Sequence, residues 1–199
     1  MRCLAIPASS STWVDGDLSH SAARRFPELS FPGTKGQGRV DLRILPFGAS
    51  IMSGVGSSTG DGLRRYLRVA LRLYGWEVDM VGSLTSGQME DANHEAVSGD
   101  IISVAHDRLP NSIGYKPNVV IINLGTNDAV RNVEVSRAGS RKESIVDDIW
   151  GAEGTAETCI ILSTLIPTTD ETGIRNRPGI NAQYRALIFS VEQETNAYT

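Results

Sequence analysis

The chain lacks a basic excess. Nineteen Lys and Arg against 23 Asp and Glu leave a formal net charge of −4, so there is no electrostatic footprint for nucleic acid. It also lacks any apolar run long enough to cross a membrane. Cysteine is scarce, with two in 199 residues. Cys3 sits in an irregular tail and Cys159 opens an apolar run. A disulfide between them is therefore not expected, and Cys159 reads as a buried core thiol. A signal-peptide core is missing too. The apolar stretch after Arg2 stops at Pro7, which is too short, so taken literally the chain is not secreted. Residues 1–41 are rich in Ser, Pro and Gly and have no sustained period. They read as a poorly ordered extension of a domain spanning 42–199, and His20 within them carries no expected role.

What remains is ordinary for a globular protein. Hydrophobic residues make up 40% and charged residues 21% of the chain, and the length suits one domain. The organising stretch is 42–54, where an apolar run ends abruptly in Gly48-Ala49-Ser50. That pattern is a strand delivering a serine to a tight turn at its carboxyl end. Sites in open α/β sheets lie just outside such ends. Two later stretches fit beside it: Ser98-Gly99-Asp100, and a second apolar run, 118–124, that ends in Gly125-Thr126-Asn127-Asp128.

In chain order, 43–47 reads as a first strand. Asp61 is expected to cap a helix whose apolar stripe is Leu63, Tyr66, Leu67, Ala70, Leu71 and Tyr74. Arg64, Arg65, Arg68 and Arg72 would form its solvated face, and Gly75 would stop it. A second strand covers 76–82, with Val78, Met80 and Val81 buried. A polar loop runs to Gly99. Asp100 opens a short helix in which Ile102, Ala105, His106 and Leu109 share one face and Pro110 marks the end. His106 there reads as a packed histidine. Strand three, 118–124, is continuously apolar, as in a buried parallel sheet. Residues 130–150 are polar and partly helical. After a loop, 159–164 forms strand four, 167–173 is a loop, and 181–194 is helical. Alternating strands and helices imply an α/β fold with parallel strands.

The three glycine-bearing stretches resemble the SGNH (GDSL-type) hydrolases, named for Ser, Gly, Asn and His in four blocks. Gly48-Ala49-Ser50 matches the first block, Gly99 the second, and Gly125-Thr126-Asn127-Asp128 the third. The run Asn93-His94-Glu95-Ala96-Val97-Ser98-Gly99 is similar to the His-Glu-Gly-x-Ser-Gly of carbohydrate-esterase-like members. The resemblance implies a flavodoxin-like, three-layer α/β/α fold with strand order 2-1-3-4. It implies hydrolysis of carboxylic esters, plausibly acetyl esters on a polysaccharide, through an acyl-enzyme on Ser50. The oxyanion donors would be the Ser50 and Gly99 backbone N–H groups and the Asn127 side chain. No metal or organic cofactor is implied. The partner is a small-molecule or polysaccharide ester, with no nucleic acid or membrane. Related esterases are often secreted.

Two departures stand out. The usual Asp of the first block is Ala49. The fourth block, Asp-x-x-His, is absent, and with it the family's fifth strand, so strand four is expected to leave an open edge. Only His20, His94 and His106 exist, and His94 is the single loop histidine close in sequence to a site residue. It is expected to have a structural or substrate-side role more than that of a base. Two rival readings follow. One is an inactive SGNH-like fragment that at most binds carbohydrate. The other is a dinucleotide site at Gly54–Gly60, with Glu77 or Asp79 about 20 residues on. Its glycines, however, begin well past Phe47 instead of directly after the strand.

Overall fold

The computed structural model describes residues 3–5 and 41–196. Most of the expected extension, His20 included, lies outside them. The central strand is β2 (Leu42–Gly48), after a short β1 (Cys3–Ala5). The short α1 (Ser50–Ser53), α2 (Leu63–Leu73), β3 (Val78–Met80), β4 (Leu84–Thr85) and β5 (Asn93–Ala96) follow. Next come α3 (Ile102–Arg108), α4 (Pro110–Ile113), β6 (Val119–Asn123) and α5 (Thr126–Arg131). A 3-10 turn at Val135–Arg137 leads into α6 (Ala138–Gly151), β7 (Cys159–Leu162) and α7 (Glu171–Asn196).

β2 pairs in parallel with β6 on one side and with β3 and β5 on the other. β6 pairs with β7. The main strands therefore follow the expected order 2-1-3-4 in an α/β, mostly parallel sheet. Pro46 sits in this central strand without breaking a ladder on its divided side. β3 pairs only with residues 42–44 and β5 only with 47–48, so Pro46 falls in the gap between them.

Two apolar clusters sandwich the sheet. Leu45, Phe47, Val120, Ile122, Ile160 and Leu162 face α3, α6 and α7. Ile44, Val78 and Met80 face the Leu67 and Leu71 side of α2. This is the alternation expected of strands buried on both faces.

Five expectations need correction. The outer edge of β7 is not open: β1 pairs with it in parallel, in register from Cys3 opposite Cys159 to Ala5 opposite Ile161. Cys159 is disulfide-bonded, not a core thiol.

The inward face of α2 is also not the expected stripe. Arg64 is fully buried, while Tyr66 and Tyr74 are 78% and 82% exposed. The cause is polar. The loops around α2 leave carbonyls without donors, and Arg64 supplies them to Ser53, Gly60, Ser86 and Ala92 at 2.6–3.1 Å. Asp61 is no cap either. It is buried and accepts from the Gln88 and Met89 N–H groups at 2.6 and 2.9 Å. A hydrogen bond from Thr59 and those two from Gln88 and Met89 hold its carboxyl below the ordinary range, against the opposing pull of burial.

Helix α7 begins ten residues before the expected 181 and runs through Pro178. Asn181 ties it to Leu165 through two hydrogen bonds, and Ile180 and Tyr184 are fully buried. Packing of that face outweighs the local cost of the proline.

Candidate active site

The register of β2 levels three strand ends. Gly48 stands opposite Ala96 of β5 and opposite Asn123 of β6. Two residues beyond Gly48 lies Ser50, three beyond Ala96 lies Gly99, and four beyond Asn123 lies Asn127. All three are partly exposed at the carboxyl edge of the sheet. Backbone packing at that edge is close: a side chain on Gly48 would run into the Asn123 carbonyl oxygen. Gly99 has φ +92°, in the left-handed region that favours glycine.

Hydrogen bonds join the blocks. Val97 N–H donates to the Gly48 carbonyl at 3.3 Å, linking the second block to the first. Asn127 Nδ2 donates to the Asp100 carbonyl at 2.8 Å, linking the third to the second. Asp128, fully buried, accepts from the Ile102 N–H at 3.1 Å and from Arg141 Nη1 at 2.8 Å. It thereby fixes α5 against the start of α3.

Behind the 99–100 turn lies an ion cluster. Arg108 Nε donates to Glu95 Oε1 at 3.2 Å, and Arg108 Nη1 pairs with Asp100 Oδ2. Glu95 is fully buried and also accepts from the Ser83 and Ser112 hydroxyls. Its charge is thus paired and hydrogen-bonded, as a buried carboxylate must be.

His94 is buried and saturated. Its Nδ1 accepts from the Ala96 N–H at 3.1 Å, which leaves the proton on Nε2 to donate to Ser86 Oγ at 2.8 Å. Burial, with the Arg64 charge adding to it against Glu95, pushes its pKa down to about 4. The structural expectation for His94 thus stands. His106 reaches across from α3 to Asp148 of α6 at 2.7 Å. Among the described residues, no histidine hydrogen-bonds Ser50. No cluster of three His, Cys, Asp or Glu among them could hold a metal ion. Gly54 packs against Gly60 and Gly62, and Gly60 against Gly87, while Gly56 faces open space.

A cleft of about 410 Å³ lies elsewhere, lined by Arg43, Asp79, Tyr115 and Lys116 among others. Arg43 belongs to the amino-terminal end of β2, whereas open-sheet sites form at the carboxyl end. Ser50 is on the other side of the sheet's length, so this cleft is not its site.

Sequence reading missed Arg108, Arg141 and Lys142. Lys142 is wholly buried on α6, donating to the Leu124 carbonyl at 3.3 Å with its ammonium 4.6 Å from the Tyr184 ring centre. Each is a single long side chain reaching from a helix to a partner more than ten residues away in sequence, and helical period carries no signal for that.

A fold with a serine, a glycine and an asparagine at levelled strand ends defines the class. The chain belongs to the GDSL-like lipase/acylhydrolase family, whose model matches residues 47–199. It is a carboxylic ester hydrolase by family. Among solved structures it is similar to a Clostridium thermocellum family 3 carbohydrate esterase, with 25% identity and a TM-score of 0.64, over 79% of this chain and 74% of that one. It shares its fold with a carbohydrate esterase family 3 protein from Talaromyces cellulolyticus, at 21% identity and a TM-score of 0.57, over 75% and 73% of the two chains. The same holds for AlinE4, an SGNH-hydrolase family esterase, at 21% identity and a TM-score of 0.58, over 77% and 74%. No curated protein sequence matches the chain significantly.

Proposed function

We propose that this domain, residues 42–199, removes acetyl groups from a polysaccharide through an acyl-serine on Ser50. The observation that carries the reading is the levelling of three strand ends about Gly48, with Ser50, Gly99 and Asn127 just beyond them. Ser50 Oγ attacks the ester carbonyl carbon. Negative charge grows on the carbonyl oxygen and is met by the Ser50 and Gly99 N–H groups and one Asn127 Nδ2 hydrogen. The alcohol leaves with a proton, and water then releases acetate from Ser50. The named carbohydrate esterase among the similar structures supports an ester on a carbohydrate as the substrate.

A serine hydroxyl needs a base. His94, with both ring nitrogens engaged and its pKa near 4, does not supply one. His106 is committed to Asp148. These two facts favour a second reading, in which the chain binds acetylated carbohydrate without turning it over.

The test is acetate release from acetylated xylan, with p-nitrophenyl acetate in parallel, by the full chain and by Ser50→Ala. Loss of turnover in Ser50→Ala supports the esterase. Turnover that survives the substitution removes Ser50 from the chemistry. Binding of acetylated xylan with no turnover by either form selects the second reading.

A further inference from the structure

We infer that Arg131 selects esters bearing an anionic group beside the scissile carbonyl, such as an acetyl ester on a uronate-containing glycan. This rests on the Ser50–Gly99–Asn127 reading above.

Asn127 and Arg131 are four residues apart on α5 and so share one helical face. That face looks onto the 99–100 turn. Asn127 reaches the Asp100 carbonyl, and Arg131 Nη2 lies 3.4 Å from where a side-chain carbon on Gly99 would stand. The guanidinium therefore covers the bare flank of the proposed oxyanion donor.

Its charge is unspent. Asp100 is taken by Arg108, and Asp128 by Arg141. Arg131 is exposed and, among the described residues, makes no hydrogen bond or ion pair of its own. An uncompensated guanidinium at a site rim offers a planar fork matched to a carboxylate. A neutral acetyl sugar gains nothing from it, whereas a sugar carrying a carboxylate near the acetyl group does.

The experiment uses the full chain carrying Ser50→Ala and two probes: a methyl glycoside of O-acetylated glucuronic acid, and its uncharged methyl uronate ester. Affinity is read by NMR titration of the Gly99 and Asn127 amides. The acid is expected to bind about three- to tenfold more tightly at low salt, as one charge-assisted contact at a wet rim allows. The preference should fade at high salt, vanish in Arg131→Gln and partly persist in Arg131→Lys. Equal affinity for both probes at those amides overturns the inference and leaves the site reading standing. So does a preference that Arg131→Gln does not change. If neither probe perturbs those amides, the site reading falls and the inference falls with it.

Discussion

Asn127 is held in place by Asp100. Its Nδ2 gives one hydrogen to the Asp100 carbonyl at 2.8 Å, which fixes the amide plane and leaves the second hydrogen for another acceptor. A donor locked before substrate arrives needs no reorganisation when charge develops, and that is where oxyanion stabilisation gains its size.

Asn127→Ala should therefore lower Ser50-dependent kcat by about 10²–10³, the usual loss for one such donor, with a much smaller change in KM. Steady-state kinetics on p-nitrophenyl acetate measure this. A loss below about threefold would take Asn127 out of the site.

Arg108 carries the turn that holds Asn127. It bridges fully buried Glu95 and Asp100, and its own side chain is 19% exposed. Arg108→Met strands the Glu95 carboxylate, and breaking a buried pair in this way costs about 3 kcal/mol or more. In a chain of this size that is a fall in Tm of roughly 6–12 °C. Arg108→Lys keeps the charge but not the bridge to both carboxylates, so it should recover part of the stability and less of the activity. Thermal melts of both variants decide it, and an unchanged Tm in Arg108→Met would mean the cluster contributes nothing.

The β2 and β6 runs, with the Gly48-Ala49-Ser50 and Gly125–Asp128 stretches that end them, were legible because a strand buried on both faces shows itself as an uninterrupted apolar stretch, whereas Gly99 was singled out by the family resemblance. The sheet order came from the resemblance to the SGNH hydrolases, not from the runs themselves. β5 was not legible: Asn93-His94-Glu95-Ala96 is a polar strand whose side chains are satisfied by Ser83, Ser86, Arg108 and Ser112, partners distant in sequence. Arg64 defeated the helical pattern for the same reason, since its burial is decided by loop carbonyls. The start of α7 was hidden by Pro178-Gly179, which punctuate a sequence locally but not a helix held by Tyr184 and Asn181. Local rules thus found the scaffold, and long-range polar bonds set the rest.

His94 makes stability depend on acid. Its pKa is about 4 in the folded chain against an ordinary 6.5, so between those values the unfolded chain binds the extra proton. Stability from this group is complete above about pH 6.5 and is lost as pH falls toward 4, at up to about 1.4 kcal/mol per pH unit. Urea unfolding at pH 7, 5.5 and 4.5 should show this slope. His94→Gln should be less stable at pH 7 yet flatter across the series. An equal slope in the variant would assign the acid sensitivity to other groups.

Lys142 predicts the opposite end of the pH scale. Burial pushes its pKa down to about 7, with Asp128 pulling up and Arg141 pushing down further. The ordinary lysine value is 10.5. Between 7 and 10.5 the unfolded chain binds the proton and the folded chain does not, so this group's contribution to stability rises with pH across that window. At neutral pH the fold still carries the cost of a buried amine near its titration point. The groups that face it are Asp128 on α5, Arg141 on its own helix and Tyr184 on α7, whose hydroxyl burial pushes up. Lys142→Met removes the amine and keeps the length. The Leu124 carbonyl keeps its hydrogen bond from Tyr184 at 3.1 Å, so no acceptor is stranded. The variant should be as stable as the parent at pH 7 or more so, by up to about 1–3 kcal/mol, as when buried charges are replaced by well-packed apolar groups. It should also lose most of the gain in stability that the parent shows from pH 7 to pH 9.5. Urea unfolding of both proteins at pH 7, 8.5 and 9.5 measures the two effects together. A Lys142→Met chain that unfolds far more easily at pH 7, with the parent's pH slope intact, would mean that the ammonium stays charged and its contacts with Tyr184 and Leu124 outweigh its burial.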